Sequence, residues 1–101
     1  MGAARPRPRR LAIKLRQIRD TLGLSQSQLH RQLRVESEIP YTRISDYELD
    51  KNEPTLMVLL EYARVAGLHV EEIIDDRLDL PATMPGPVKY RSVKRGTRPK
   101  D

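Results

Sequence analysis

The segment Leu22-Gly-Leu-Ser-Gln-Ser-Gln-Leu, residues 22–29, predicts a sharp junction between two short helices. Gly23 is suited to end the first helix, because glycine readily takes the left-handed conformation with which many helices close. Ser25 is suited to begin the second, since its hydroxyl can accept a hydrogen bond from an unpaired backbone N–H of the first turn. The two helices therefore follow one another almost without a linker.

Apolar residues recur at helical spacing on both sides of this junction. The first helix carries an apolar stripe made of Leu11, Leu15, Ile18 and Leu22. The second presents Leu29 and Leu33 on one face over two turns. Steps of three and four residues place each set on one side of a helix, where it can be buried.

A third helix is predicted from Pro40 to Glu48. Proline is tolerated in the first turn of a helix, and Tyr41, Ile44 and Tyr47 follow at steps of three. Ile44 and Tyr47 are expected to be core residues, so the polar side of this helix is left facing outward.

A fourth helix is predicted between a Thr55 cap and Gly67. The stripe expected to be buried consists of Leu56, Leu59, Leu60, Ala63 and Ala66. A fifth, short helix begins after His69, with Glu72 at the capping-box position, and is expected to bury Val70, Ile73 and Ile74. With no strand predicted in this body, the fold class is all-α, a compact five-helix domain.

Positive charge is concentrated at the two ends of the 101-residue chain. Residues 81–101 carry a net charge of +5, residues 11–80 a net charge of −4, and residues 1–10 contain four arginines and no acid. Prolines also interrupt both ends. We predict a basic flexible N-terminal arm at residues 1–8, a folded domain at 9–80 and a basic flexible C-terminal tail at 81–101. Such ends suit a polyanion, although solvated tails without a partner are equally compatible with the charge.

Several function classes are disfavoured. The chain has no cysteine, and His30 and His69 lack further ligands at metal spacing, so we expect neither a metal site nor a cofactor. No nucleophile–base pair, carboxylate dyad or glycine-rich phosphate loop predicts an enzyme, and no small-molecule ligand is evident. No apolar run is long enough for a membrane span, which favours a cytoplasmic protein.

Four fragments of this chain, in order, resemble the lambda-repressor-like (Cro/CI or XRE) family. They are residues 22–29, quoted above, Ile44-Ser-Asp-Tyr-Glu, Pro54-Thr-Leu-Met-Val-Leu-Leu and Ala63-Arg-Val-Ala-Gly-Leu-His-Val-Glu-Glu-Ile-Ile. The match runs from about Leu11 to Ile74. The resemblance implies a helix-turn-helix domain that binds double-stranded DNA and regulates transcription, with a homodimer as a possible state.

The third helix would carry the base-reading residues, because the major groove displays a distinct pattern of donors and acceptors for each base pair. The candidates are Tyr41, Thr42, Arg43, Ser45 and Asp46. Arg43 can donate two hydrogen bonds to guanine. Tyr41 can contact DNA or bury its ring under the second helix, and Asp46 can accept from cytosine or pair with Arg43; both alternatives remain open.

Phosphate contacts are predicted at the start of the second helix, where free N–H groups and the helix dipole favour an anion. The candidates there are Ser25, Gln26 and Gln28. The family resemblance implies that Gln26 also braces the reading helix, that Lys51 and Asn52 contact phosphate, and that Arg19 pairs with Glu48.

The basic arm, comprising Arg5, Arg7, Arg9 and Arg10, can lie in an A·T-rich minor groove or remain solvated.

The chain departs from the family pattern before the third helix. His30 stands where members usually have a small residue, Arg34 stands where they have glycine, and about four residues, Glu36 to Ile39, are inserted. A second hypothesis, favoured by the acidic residues Asp46, Glu36 and Glu38, is a protein-interaction module or antitoxin that uses the same fold to bind a partner protein.

Overall fold

The computed structural model describes residues 8–35 and 38–87. These residues form five α-helices and no strand, which confirms the all-α five-helix prediction. The helices are α1 (Leu11–Leu22), α2 (Gln26–Leu33), α3 (Thr42–Glu48), α4 (Leu56–Ala66) and α5 (Val70–Ile74).

The junction between α1 and α2 has the predicted local chemistry. Gly23 is left-handed (φ 70°), and its N–H donates to Arg19 and Asp20 carbonyls at the end of α1. Ser25 Oγ accepts from the Gln28 N–H at 3.1 Å, while Gln28 Oε1 accepts from the Ser25 N–H at 2.8 Å. This reciprocal pair fixes the first residue of α2.

The core lies where α1 packs against α3, α4 and α5, and where α2 packs against α3 and α4. The residues at its centre are fully inaccessible: Leu15, Ile18, Leu29, Leu33, Ile44, Tyr62, Ala66 and Ile73. Burial of each leucine or isoleucine among them contributes about 1.5–3 kcal/mol, and Ile44 joins α3 to this core.

The predicted buried stripe of α4 is partly wrong. Leu56 and Leu60 are exposed, at 79% and 45%, whereas Val58, Tyr62 and Val65 take their place in the core. Residues 56–60 are all apolar, so spacing in the sequence could not decide which face would be buried. The choice follows from tertiary packing.

Two smaller predictions also need correction. Only Ile73 of α5 is buried, because a five-residue helix presents just one turn to the core; Ile74 is 37% exposed and Val70 is partly covered. The third helix begins at Thr42, two residues after Pro40. The Tyr41 ring is 52% exposed, so it does not pack beneath α2.

The ends of the described segment pack against each other. Asp76, which follows α5, accepts hydrogen bonds from the Arg9 and Arg10 N–H groups just before α1 begins. Lys14 is buried, and its Nζ donates to the Glu72 and Asp75 carbonyls at the end of α5, 2.8 Å from each. These contacts tie the first helix to the last.

Residues 81–87 run back over the end of α4. The Gly86 N–H donates to the Ala66 carbonyl, and Met84 packs on the core. Gly67 has φ 73°, and a Cβ there would lie 2.5 Å from the Gly86 carbonyl oxygen, so only glycine fits this close approach.

Candidate nucleic-acid interface

Arg19 and Glu48 form the pair that the family resemblance implied. Arg19 Nε donates to Glu48 Oε2 at 2.6 Å, and its terminal nitrogen donates to Oε1 at 2.9 Å. Both side chains are largely covered, Glu48 being 4% exposed. The hydrogen bond that Arg19 donates to Glu48 raises the pKa of the Arg19 guanidinium, although burial opposes the shift. This two-point contact fixes the end of α3 against α1.

Gln26 joins the same cluster from α2. Its Nε2 lies 3.4 Å from Glu48 Oε1, within the limit for a long hydrogen bond. The first residue of α2 therefore contacts the last residue of α3, which agrees with the bracing that the resemblance implied for Gln26.

The outward side of α3 carries the candidate base-reading residues. Tyr41 and Thr42 are exposed, and Arg43, Ser45 and Asp46 are partly exposed. This side is therefore accessible along its whole length. Arg43 and Asp46 approach to 3.8 Å, the predicted within-helix pair, and at their exposures this contact is weak.

The loop after α3 is anchored to the helix by its backbone. The Lys51 N–H donates to the Asp46 carbonyl at 2.9 Å, and Asn52 Nδ2 lies 3.4 Å from Asp46 Oδ2. Asp50 adopts φ 63°, which turns the chain at this point. The exposed side chains of Lys51 and Asn52 are thereby held beside the end of the proposed reading surface.

The start of α2 is the second group of candidates. The side-chain oxygens of Ser25 and Gln28 each accept a hydrogen bond in the reciprocal cap. The first turn of α2 contains no acidic residue that would repel an anion. Both side chains are exposed, as a phosphate contact requires.

The basic arm is only partly described. Arg5 and Arg7 lie outside the described residues. Arg9 is exposed, whereas the Arg10 guanidinium donates to the Asp76 carbonyl at 2.8 Å and to Asp79 Oδ1 at 2.6 Å. Arg10 belongs structurally to the folded domain.

His30 makes a buried contact that sequence reasoning did not find. It is 8% exposed, and its Nε2 donates to the Ile39 carbonyl at 2.7 Å, since a carbonyl oxygen can only accept. Arg34 at the end of α2 is left-handed, with φ 60°. The departures from the family pattern could have indicated this contact, because histidine replaces a small residue and bonds to Ile39, the last residue of the insertion.

The chain belongs to the helix-turn-helix family of the Cro/CI (XRE) type. A family model described as Helix-turn-helix matches residues 15–73, more than half of the chain. The comparison shows a DNA-binding domain of the transcription-regulator class, with the lambda-repressor-like fold predicted above. Neither the curated proteins nor the solved structures gave a significant match.

Residues 8–35 and 38–87 contain no group of three or more histidine or carboxylate side chains that could hold a metal ion. No helix within those ranges has the length and apolar character that crossing a membrane requires.

Proposed function

We propose that this protein binds double-stranded DNA sequence-specifically, with α3 in the major groove and the start of α2 on a phosphate. The observation that carries the proposal is the Arg19–Glu48–Gln26 cluster. It holds α3 rigidly to α1 and α2 while Thr42, Arg43 and Ser45 remain accessible. A reading helix needs this combination of a fixed axis and an open polar side.

The roles of the residues follow from their chemistry. Arg43 is the principal base reader, since its guanidinium can donate two hydrogen bonds to guanine; Thr42 and Ser45 add contacts to bases or phosphates. Asp46 pairs only weakly with Arg43 in the free protein and accepts from a cytosine amino group in the complex. Tyr41, exposed at the start of α3, contacts the phosphate backbone of the DNA.

Phosphate contacts surround the reading helix. Ser25, Gln26 and Gln28 lie at the start of α2, and Lys51 and Asn52 lie in the loop after α3. Contacts from both sides fix the register of α3 in the groove without reading sequence themselves.

The test begins with selection of bound sequences from a random DNA pool, followed by anisotropy titrations of the selected site. Arg43→Ala should reduce the preference for that site over a mutated site by about 1–3 kcal/mol, or five- to 150-fold. Lys51→Ala should weaken binding to both sites alike and flatten the salt dependence by about one unit of log–log slope. Gln17→Ala, an exposed change on α1, is the control. Binding that is independent of salt, or an unchanged preference in Arg43→Ala, would reject the proposal.

We further propose that two copies meet on DNA through the exposed apolar face of α4, formed by Leu56, Met57 and Leu60. These side chains are 79%, 64% and 45% exposed and carry no charge. An uncharged patch can match itself in a two-fold dimer, which a patch of one sign cannot. Three side chains cover far less than the ~800 Å² per partner of a stable interface, so the pair should form only on DNA.

Leu60→Lys tests this homodimer. It should abolish cooperative binding to a two-half-site duplex and leave affinity for one half-site unchanged, as read from band-shift titrations. If cooperativity survives, another surface joins the copies.

A further inference from the structure

An open groove runs between α2, α4 and residues 81–87. Its polar part, about 530 Å³, is lined by Gln28, Arg31 and Arg34 of the α2 side and by Arg64 of α4. A smaller apolar pocket adjoins it, shares Leu24, Gln32 and Pro87 with it, and adds Leu22 and Val65. The two together give a cationic rim beside an apolar floor.

Two of the three arginines of the rim are not paired with an acidic side chain within the described residues. Arg31 and Arg34 are exposed and have no ion pair with another residue in 8–35 or 38–87. Arg64 is held in place by Glu61 Oε1 at 2.6 Å and by the Gln32 carbonyl at 2.8 Å. No acidic residue lines either pocket.

The groove and the proposed DNA contacts have only Gln28 in common. Gln28, Arg31 and Gln32 are spaced by three and four residues and share one side of α2. Gln26, which contacts Glu48 of α3, lies about 160° from the position of Gln28, at 100° per residue. The arginines of the rim and the apolar residues of the floor are therefore separate from the side chains proposed to contact DNA.

The chemistry of the groove selects its ligand. A DNA backbone needs cations but gains nothing from Leu22, Leu24 and Val65. A peptide with acidic and apolar side chains satisfies both parts, because its carboxylates can pair with the arginines while its apolar residues cover the floor. From this match of charge and apolar surface we infer that the groove binds an acidic, leucine-containing segment of a partner protein while the domain sits on DNA.

A short fluorescein-labelled peptide of glutamate and leucine residues is the probe. Anisotropy titration with the full chain should show saturable binding. Arg31→Glu should weaken it by about tenfold, equivalent to about 1.4 kcal/mol. The matched control is Arg16→Glu, an equal charge change at an exposed site on α1 outside the groove, which should alter affinity by less than about twofold. Circular dichroism verifies that both variants are folded.

Two altered peptides test the two parts of the groove. Replacing each leucine by serine, or each glutamate by glutamine, should abolish most of the binding. The inference is overturned if the serine peptide binds as well as the original, if Arg31→Glu and Arg16→Glu behave alike, or if a duplex displaces the peptide. Because DNA binding is measured separately on the same variants, a failure here is distinguishable from a failure of the proposed function.

Discussion

Arg19 of α1 donates two hydrogen bonds to Glu48 of α3, at 2.6 and 2.9 Å, across 29 positions of sequence. His30 of α2 holds the Ile39 carbonyl, just before α3 begins. Helix α3 is therefore fixed at its end by an ion pair, and the residue three positions before its start is held by a hydrogen bond. Neither contact uses a side chain from the outward side of α3.

Glu48→Gln should destabilise the domain by about 3 kcal/mol, because it leaves the Arg19 guanidinium largely buried without a counter-charge. Urea denaturation measures the loss. Asp20→Asn removes the exposed Arg16–Asp20 pair and should cost less than about 0.5 kcal/mol. Equal losses in the two variants would contradict a structural role for the buried pair.

His30→Ala should lower the free energy of unfolding by about 1–2 kcal/mol, since the Ile39 carbonyl loses its donor. It should also reduce discrimination between DNA sites, because the start of α3 is no longer held. Gln17→Ala is the control for both readouts. Lost stability with unchanged discrimination would show that His30 supports the fold without positioning α3.

Arg34→Gly should stabilise the domain by about 1 kcal/mol, because Arg34 has φ 60°, where a side chain is strained and glycine is not. Gly23→Ala makes the opposite change, because it adds a side chain to a left-handed residue. At φ 70°, with no atom within 4 Å of the added Cβ, it should cost a similar amount through backbone strain alone. Thermal melts of both variants measure the two shifts, and a destabilised Arg34→Gly would mean that the arginine makes a compensating contact.

Tyr62→Phe should raise the free energy of unfolding by about 1 kcal/mol, since the buried hydroxyl has no hydrogen-bond partner among the described residues. Burial, reinforced by the nearby Glu48 carboxylate, raises the pKa of Tyr62 well above its usual value. Its phenolate should therefore appear in an alkaline absorbance titration only as the protein unfolds. A destabilised Tyr62→Phe would reveal a partner for the hydroxyl.

Acid should weaken the hydrogen bonds of the Asp75 and Asp76 carboxylates, of which only those of Asp76 join the two ends of the domain. Hydrogen bonds from the Arg77 side chain and backbone lower the pKa of Asp75 from 3.8 to about 2, and the Arg10 and Arg9 N–H groups lower that of Asp76. Both pKa values are depressed by folding, so the stabilisation is present above the unfolded value and is lost as pH falls from about 4 to about 2.

Asp75→Asn isolates the contribution of the Asp75 carboxylate to the loss of stability in acid. The slope of unfolding free energy against pH in this window should be shallower in the variant than in the unmodified protein, with urea melts as the measurement. Parallel slopes would assign the acid sensitivity to other carboxylates.

Local sequence signals predicted the elements well. Gly23, Ser25, Thr55 and Gly67 mark helix ends, because caps and left-handed closures depend on one or two neighbouring residues. The family pattern in residues 22–29 and 44–48 supplied the arrangement of the helices and the Arg19–Glu48 pair. The candidate reading residues could likewise be chosen from the polar side of a short helix.

The sequence by itself determined the five helices and their order, since periodicity and capping are local properties of the chain, and the resemblance of four fragments to a known family indicated the class of protein. Tertiary packing decided which face of α4 is buried, where α3 begins, which residues Arg10 contacts and that His30 bonds to the Ile39 carbonyl. Each of those outcomes depends on contacts between residues far apart in sequence. Residues 56–60 show the reason: where every residue of a helical turn is apolar, only the neighbouring helices can select the side that meets the core.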